Sequence, residues 1–442
     1  MTLHQDQDQP SPSRLLALDT FGIKLGLDNI SRLCAALGHP ERAFTTLHVA
    51  GTNGKGSVTA MVHAALVADG VRASRYISPH LIDLAERFVI GSDPVDADAL
   101  NHATDDVLDC AESLLGTDGL PIRVTFFEAT TAIAFELFRR ARVDVAVIEV
   151  GLGGRYDATN ILAPIAGAIT SIGFDHQEWL GQSIEAIASE KAGIIKPGMD
   201  IVVGTLPQEA RRVVAEAARA QRAQMIEAMA GACVTRGSAG TRETLIIDTP
   251  HDHYGPVSLA LRGEHQIGNA LVAIRLLEAA RRHGVRVSRD AIEHGLTLVD
   301  WPGRLELISL HDGRQLLLDA AHNLDGARAL AAHLARWHPA PARPTLVLGV
   351  MRDKDIEGII ATLLPVVSSV VTTAARHTRA MPADDLAARI RAAKPSIQIR
   401  SEPSPVHAVD EALANDGTVC VAGSLMVVGE VREGLKQRAI LR

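Results

Sequence analysis

The chain has 442 residues, 47 % of them hydrophobic and 22 % charged, and a net charge of −8. That length supports two or three domains, each with its own core, and the acidic balance excludes the basic stripe that a nucleic-acid footprint needs. Aromatics at 3 % leave few platforms for stacking single strands, and no uncharged apolar run is long enough to span a bilayer.

Residues 1–14 carry Gln, Asp and Pro, lack the basic and apolar regions of a signal peptide, and read as a frayed terminus of a soluble, cytoplasmic protein. Thr45–Ala50 is strand-like and runs straight into a glycine-rich loop, with a helical stretch over 57–69. Residues 144–150 are nearly all apolar, as suits a parallel strand covered on both faces. Residues 164–172 repeat the pattern and end at Gly173-Phe174-Asp175-His176. Residues 228–261 are irregular and suit an insertion of short antiparallel strands. A helix over 267–283 leads to Asp300-Trp301-Pro302-Gly303-Arg304, where Pro-Gly marks a linker. Strand-like runs then restart at 315–320, 345–350, 369–374, 397–401 and 418–422.

This alternation predicts an α/β protein. An N-terminal doubly wound P-loop ATPase domain is expected over 1–300, a linker over 301–304, and a smaller C-terminal Rossmann-like domain over 305–442. Cys34, Cys110, Cys233 and Cys420 are scattered, without a CxxC pair or a neighbouring His cluster. They fit a reducing cytoplasm and argue against zinc or a disulfide framework.

Gly51-Thr52-Asn53-Gly54-Lys55-Gly56-Ser57 lies between strand and helix. Glycines let backbone N–H groups turn toward phosphate oxygens, the helix N-terminus adds partial positive charge, and Lys55 adds a full one. Ser57 can set its hydroxyl on a magnesium ion. The general Walker pattern has Ser or Thr directly after the lysine; here Gly56 intervenes, so this is not the ordinary kinase or GTPase loop. Nucleotide binding is the reading; a glycine-rich turn that only packs a helix is the bland alternative.

Glu149 ends the apolar strand, where open α/β sheets place ligand groups. His176 holds the equivalent place after the next strand and reads equally as a loop histidine, since magnesium prefers oxygen. Lys191, by itself, reads as half of a Glu–Lys surface pair. Glu128, in Thr125-Phe126-Phe127-Glu128, fits a core edge as well as a site. Asp319, in Leu318-Asp319-Ala320-Ala321-His322-Asn323, suits a ribose hydroxyl, against the alternative that Asp319 and His322 cap the next helix. Arg304 either reaches a phosphate between domains or is a solvated linker arginine.

These motifs occur in order with Ser78-Pro79-His80-Leu81, Glu149-Val150-Gly151-Leu152-Gly153-Gly154-Arg155, Asp157-Ala158-Thr159-Asn160, Glu190 to Gly198 and Gly349-Val350-Met351-Arg352-Asp353-Lys354. Together they resemble the folylpolyglutamate synthase/dihydrofolate synthase family, a branch of the Mur-type ligases, over nearly the full chain. The loop alone would indicate only the superfamily; the runs at 149–155 and 190–198 are specific to the folate branch.

The resemblance implies ATP-dependent ligation of L-glutamate to dihydropteroate and to reduced folates through an acyl phosphate. It implies ATP contacts at Thr52, Asn53, Gly54, Lys55, Gly56, Ser57, Asn269, Arg304 and Asp319. Two magnesium ions would be held by Ser57, Ser78, Glu149, His176 and Lys191, the lysine carbamylated by CO₂; potassium is a further cofactor compatible with the family. Leu25, Gly26, Leu27, Thr125, Phe126, Phe127, Glu128, Tyr156, Asp157 and Ala158 would line a pterin pocket, with His322 and Ser424 on the glutamate side. The catalytic set would be Lys55, Glu149, His176, Lys191 and His322, in a protein expected to be a monomer with small-molecule partners, no nucleic acid and no membrane. Tyr156 and Phe174 depart from the family pattern, where Leu is common at both places. A murein peptide ligase is the nearer rival, disfavoured because nothing before Gly51 has room for a UDP-sugar domain. A non-catalytic ATP-binding module is the other, disfavoured by intact Glu149, His176, Lys191 and Asp319.

Overall fold

The computed structural model describes residues 11–18, 26–115, 120, 123–239, 242–310, 313–415, 417–438 and 440–441. The expected frayed terminus is corrected where it is described. Helix α1 (Ser11–Ala17) buries Leu15 completely, and the Arg14 guanidinium lies 3.3 Å, 2.8 Å and 3.1 Å from Asp105, Asp109 and Glu112. Polarity alone hides this, because the acidic partners sit far along the chain.

The first sheet forms from α2 (Asp28–Ala36), β1 (Thr45–Ala50), α3 (Lys55–Ala68), β2 (Ala73–Tyr76), β3 (Phe88–Ile90) and β4 (Asp93–Pro94). It continues through α4 (Ala97–Leu114), α5 (Phe126–Arg140), β5 (Val145–Glu149), β6 (Ala166–Ile169), α6 (Gln177–Leu180) and α7 (Ile184–Ala192). β7 (Asp200–Val203), α8 (Gln208–Ala220) and β8 (Gln224–Glu227) complete it, in the order β4-β3-β2-β5-β1-β6-β7-β8. The run from β2 to β8 is parallel; β3 and β4 are antiparallel. The expected doubly wound sheet thus carries an antiparallel edge, too short to show a pattern in the sequence.

The expected insertion is a three-stranded antiparallel sheet, β9 (Cys233–Ala239), β10 (Arg242–Asp248) and β11 (His253–Val257). Helix α9 (Glu264–Arg282) starts three residues before the expected point, directly behind Gly263 at φ 100°, and α10 (Arg289–Leu298) follows.

Alternation explains the layers. Leu47, Val49, Val145 and Val147 face α3, α9 and α10, while Ala146 and Ile148 face α2, α4 and α5. Both faces of β5 are covered, so its apolar run breaks only at Glu149, its last residue. In parallel register Val49 pairs with Glu149 and Ala50 with Ile169. Three strands thus end level, and the stretch beyond Ile169, expected as strand to 172, peels away as the loop that carries Asp175.

Residues 299–305 lead to the second sheet, built from β12 (Glu306–Ser309), β13 (Gln315–Leu318), α11 (Leu324–Trp337), β14 (Thr345–Leu348), α12 (Ile356–Leu363) and β15 (Ser369–Thr372). α13 (Ala383–Ala393), β16 (Gln398–Ser401), α14 (Pro405–Asn415), β17 (Thr418–Ala422) and α15 (Leu425–Gln437) complete it. Its order is β12-β13-β17-β14-β15-β16, parallel except for β12, with a separate apolar core on each face. Among the described residues no helix is long and apolar enough to cross a membrane.

Candidate active site

The loop after β1 enters α3 through Gly54, at φ 86°, where a Cβ would lie 2.5 Å from the Asn269 side-chain oxygen. Lys55 is the first residue of α3, so first-turn N–H groups of the helix, which have no intrahelical acceptor, face the loop's concave side. The loop is held from behind. Thr52 N–H donates to Ser171 O at 2.8 Å, Asn53 N–H to Ser171 Oγ at 2.9 Å, and Thr170 Oγ1 to Asn53 O at 2.6 Å. From α9, Gln266 donates to Ser57 Oγ at 3.3 Å and accepts from Asn269 Nδ2 at 2.9 Å.

Two ammonium groups converge on one carbonyl: Lys55 Nζ and Lys191 Nζ each donate to Gly51 O at 3.0 Å. Lys191 is 4 % exposed, and burial together with Lys55 pulls its amine down to about 7. The surface-pair reading of Lys191 is thereby overturned. Its neighbour Glu190 turns instead to Arg155, 3.4 Å away. Glu149 is equally deep, and burial pushes its carboxyl up to about 7 against Lys55 and Arg304. The Ser78 N–H donates to Glu149, and Ser78 Oγ is buried with no partner. His176 holds a left-handed conformation (φ 51°, ψ 38°), a strained backbone of the kind found at functional sites. Burial brings its imidazole down to about 4, leaving a neutral ring with a free lone pair at neutral pH.

Among the described residues no three His, Cys, Asp or Glu side chains cluster as a metal cage. The donors fit magnesium all the same, because that ion takes one or two protein carboxylates and fills its octahedron with phosphate oxygens and water. An orphaned buried hydroxyl on Ser78 beside the buried carboxylate of Glu149 is the arrangement such an ion would satisfy.

The second sheet closes the site through one carboxylate. Asp175 accepts from Lys354 Nζ at 2.7 Å and Asn323 Nδ2 at 3.0 Å, with His322 Nε2 3.5 Å away. Burial opposes its charge, but His322 and Lys354 hold it well below the usual carboxylate range. Asn323 also trades amide hydrogen bonds with Asn53 of the loop, at 3.0 Å and 3.3 Å, and caps α11 by accepting from Gly326 N–H. The alternative reading of Asp319 and His322 as caps of this helix is thereby set aside, since the cap is Asn323. Asp319 instead accepts from Leu305 N–H at 2.8 Å and Ala321 N–H at 3.0 Å, and fixes the turn that carries Arg304. Arg304 lies where it feels both Asp319 and Glu149. The Nδ1 of His322 meets Ala320 O at 2.9 Å.

A cleft of about 1480 Å³ brings together residues 51–57, Ser78, Glu149, His176, Lys191, Asn269, Arg304, Asp319 and His322. The described members of the expected pterin set stand outside its lining. Thr125 and Glu128 form a capping box at the start of α5, at 2.8 Å and 3.1 Å. Phe126 lies under Arg87, and Phe127 packs against Gly151. Asp157 is consumed by Leu152 N–H and by Thr159, whose hydroxyl meets His48 Nε2 at 2.8 Å. Ala158 is buried, Tyr156 is 46 % exposed, Gly26 and Leu27 precede α2, and Leu25 lies outside the described residues. Ser424 also lies off the cleft, its hydroxyl accepting from Met426 N–H at 3.2 Å to cap α15. Asp175, Asn323, Lys354 and Gln266 join the site beyond the expected set. The signal for the first and third was available, as opposite charges in two strand-end loops.

Two family models match, the Mur ligase middle domain over 100–277 and the Mur ligase glutamate ligase domain over 303–425. The dihydrofolate synthase/folylpolyglutamate synthase of Bacillus subtilis is 33 % identical, covering 94 % of this chain and 96 % of that protein. Escherichia coli FolC, solved in complex with DHPP and ADP, superposes with a TM-score of 0.86 at 30 % identity, over 98 % of this chain and 99 % of that one. The bifunctional folylpolyglutamate synthase/dihydrofolate synthase of Yersinia pestis, solved with AMPPNP and Mn ion, gives 0.84 at 29 % identity over 97 % and 98 %. The chain belongs to the dihydrofolate synthase/folylpolyglutamate synthase family of Mur ligases, enzymes that join glutamate to their substrate with ATP.

Proposed function

We propose that this cleft passes the γ-phosphoryl group of ATP to the carboxylate of dihydropteroate, or to the γ-carboxylate of a reduced folate, and then couples the activated acyl group to L-glutamate. In the first step a carboxylate oxygen bonds to the γ-phosphorus and ADP leaves. In the second the glutamate amine bonds to the acyl carbon, phosphate leaves, and the ammonium protons pass to solvent or a nearby base. The observation that carries this reading is the convergence of Lys55, Ser78, Glu149 and Lys191 on the loop, faced by Arg304 and His322 from the other sheet.

Loop N–H groups and Lys55 would cradle the phosphates and neutralise charge as the group transfers, the main lever in phosphoryl transfer. Ser57, Ser78, Glu149 and His176 would hold divalent metal, which supplies further neutralisation when bound. Lys191 suits a CO₂-derived carbamate, since only a neutral amine captures CO₂ and burial beside Lys55 favours the neutral form. A carbamate there would present two oxygens in place of a cation and support a second magnesium. Arg304 would reach the phosphates, Asp319 the ribose and Asn269 the nucleotide, while His322 would meet the incoming glutamate.

Acyl phosphates hydrolyse, so the clasp of Asp175 with Asn323 and Lys354 would exclude water during the reaction. We divide the chain into a nucleotide- and pterin-binding domain over 1–300, a linker over 301–304 and a glutamate-ligase domain over 305–442. The test supplies ATP, Mg²⁺ and L-glutamate with dihydropteroate or tetrahydrofolate and weighs the products. Each pterin should gain one glutamyl mass with release of ADP. Ligation of neither would overturn the proposal.

A further inference from the structure

Gly56 is the residue that separates this loop from the general Walker pattern, and local backbone does not require it. It is the second residue of α3 and does not adopt a left-handed φ. In a helix, alanine is favoured over glycine by about 1 kcal/mol. What forbids a side chain is the linker: a Cβ on Gly56 would lie 2.6 Å from Cζ2 of Trp301, with Cε2 at 3.1 Å and Nε1 at 3.2 Å. The indole therefore lies directly on the phosphate loop.

The ring also packs against the first sheet's apolar core, and the Arg75 guanidinium carbon lies 5.2 Å from its centroid. Trp301 Nε1 and Arg75 Nε are both buried without a hydrogen-bond partner, so shape and charge hold the stack rather than polar bonds. Arg75 is three residues before Ser78, and Gly56 is one before Ser57. One ring thus touches both segments whose serines face the cleft. Trp301 also precedes the rigid turn in which Gly303 sits at φ 71° and Leu305 at φ 47°, tied down by Asp319.

We propose that Trp301 is a positioning residue: pressed between Arg75 and Gly56, its indole sets the height of the phosphate loop and couples the interdomain linker to the geometry of phosphoryl transfer. Gly56 is then the cavity made for this ring. The inference rests on the loop being the ATP phosphate site.

A double-substitution cycle tests it, using the full-length protein with Gly56→Ala, Trp301→Leu and the pair. kcat, KM for ATP, direct ATP binding and melting temperature are read for each. Gly56→Ala alone should lower kcat about ten- to a hundredfold, as an overpacked methyl displaces the loop. With Trp301→Leu already present, the same change should cost less than about threefold. An equal loss in both backgrounds would overturn the proposal and assign Gly56 to phosphate approach alone. If Gly56→Ala does not fold but the pair does, the coupling is shown in stronger form.

Arg75→Met supplies a second arm. Loss of the cation over the ring should lower kcat about fivefold, with KM for ATP and melting temperature held; an unchanged kcat would count against the seat. Should the unsubstituted protein bind ATP but ligate nothing, the proposed function fails. The cycle is then read on ATP affinity, which still decides the role of Trp301.

Discussion

Lys354→Met removes one of the polar contacts between the two sheets. The lysine and Asp175 meet at 2.7 Å with side chains 10 % and 9 % exposed, so neither charge is well solvated. Removing one partner of a buried pair costs about 3–5 kcal/mol. Asp175 keeps Asn323 and His322, which argues for the lower end. The cost falls on the closed arrangement rather than on either sheet, because the partners belong to different sheets. About 3 kcal/mol corresponds to a roughly hundredfold shift away from closure.

The assay pairs kcat for ligation with the radius of gyration from small-angle scattering, taken with a non-hydrolysable ATP analogue and no glutamate. Lys354→Met should lower kcat by one to two orders of magnitude and expand the particle. Lys354→Arg should recover part of both. Adding Asp175→Asn to Lys354→Met should close the protein again in part, because the stranded charge is gone. A compact Lys354→Met with kcat within threefold of the parent would refute the reasoning, as would a double variant more open than the single.

Other outcomes follow from the same geometry. Lys191→Ala should abolish turnover, and added acetate should restore part of it by supplying the missing carboxylate oxygens; full activity without acetate would exclude the carbamate. Arg304→Ala should lower turnover more than it lowers the melting temperature, and an unchanged rate in folded protein would remove Arg304 from the mechanism. His63 is held down to about 3 by burial, with Arg75 adding to the effect, against an ordinary value near 6.5. The unfolded chain therefore takes up this proton first, and the stability present above about pH 6.5 is lost as pH falls toward 3, by about 1 kcal/mol per pH unit. Urea midpoints at pH 7.5 and 5.5 should show a shallower acid loss for His63→Leu than for the parent, whereas parallel slopes would contradict the burial argument. Thr125→Ala should cost about 1 kcal/mol of stability as a lost helix cap; a drop in pterin affinity at unchanged stability would instead give the hydroxyl a contact in the site.

How much could be read beforehand depended on how local each feature was. The loop, the strand before it and Glu149 are contiguous patterns, and the structure has them in adjacent strands that end level. Lys191 could not be read that way. Its partner, the Gly51 carbonyl, is 140 residues earlier, and beside Glu190 it resembles any surface pair. Resemblance to a family moved it to the interior where composition could not. Asp175 and Lys354, 179 residues apart, appeared only as parts of motifs, with nothing to say they touch. The Thr125–Glu128 spacing does encode a capping box, a pattern that competes with a substrate-site reading of the same residues. The antiparallel edge was not legible, because β4 has two residues and β3 three, too few for a period.

The central claim is that the substrate carboxylate itself takes the γ-phosphoryl group. It is tested most directly by labelling that carboxylate of tetrahydrofolate or dihydropteroate with heavy oxygen and weighing the inorganic phosphate released on ligation. Transfer through an acyl phosphate predicts one labelled oxygen in each phosphate formed. Unlabelled phosphate alongside a glutamylated pterin would contradict it.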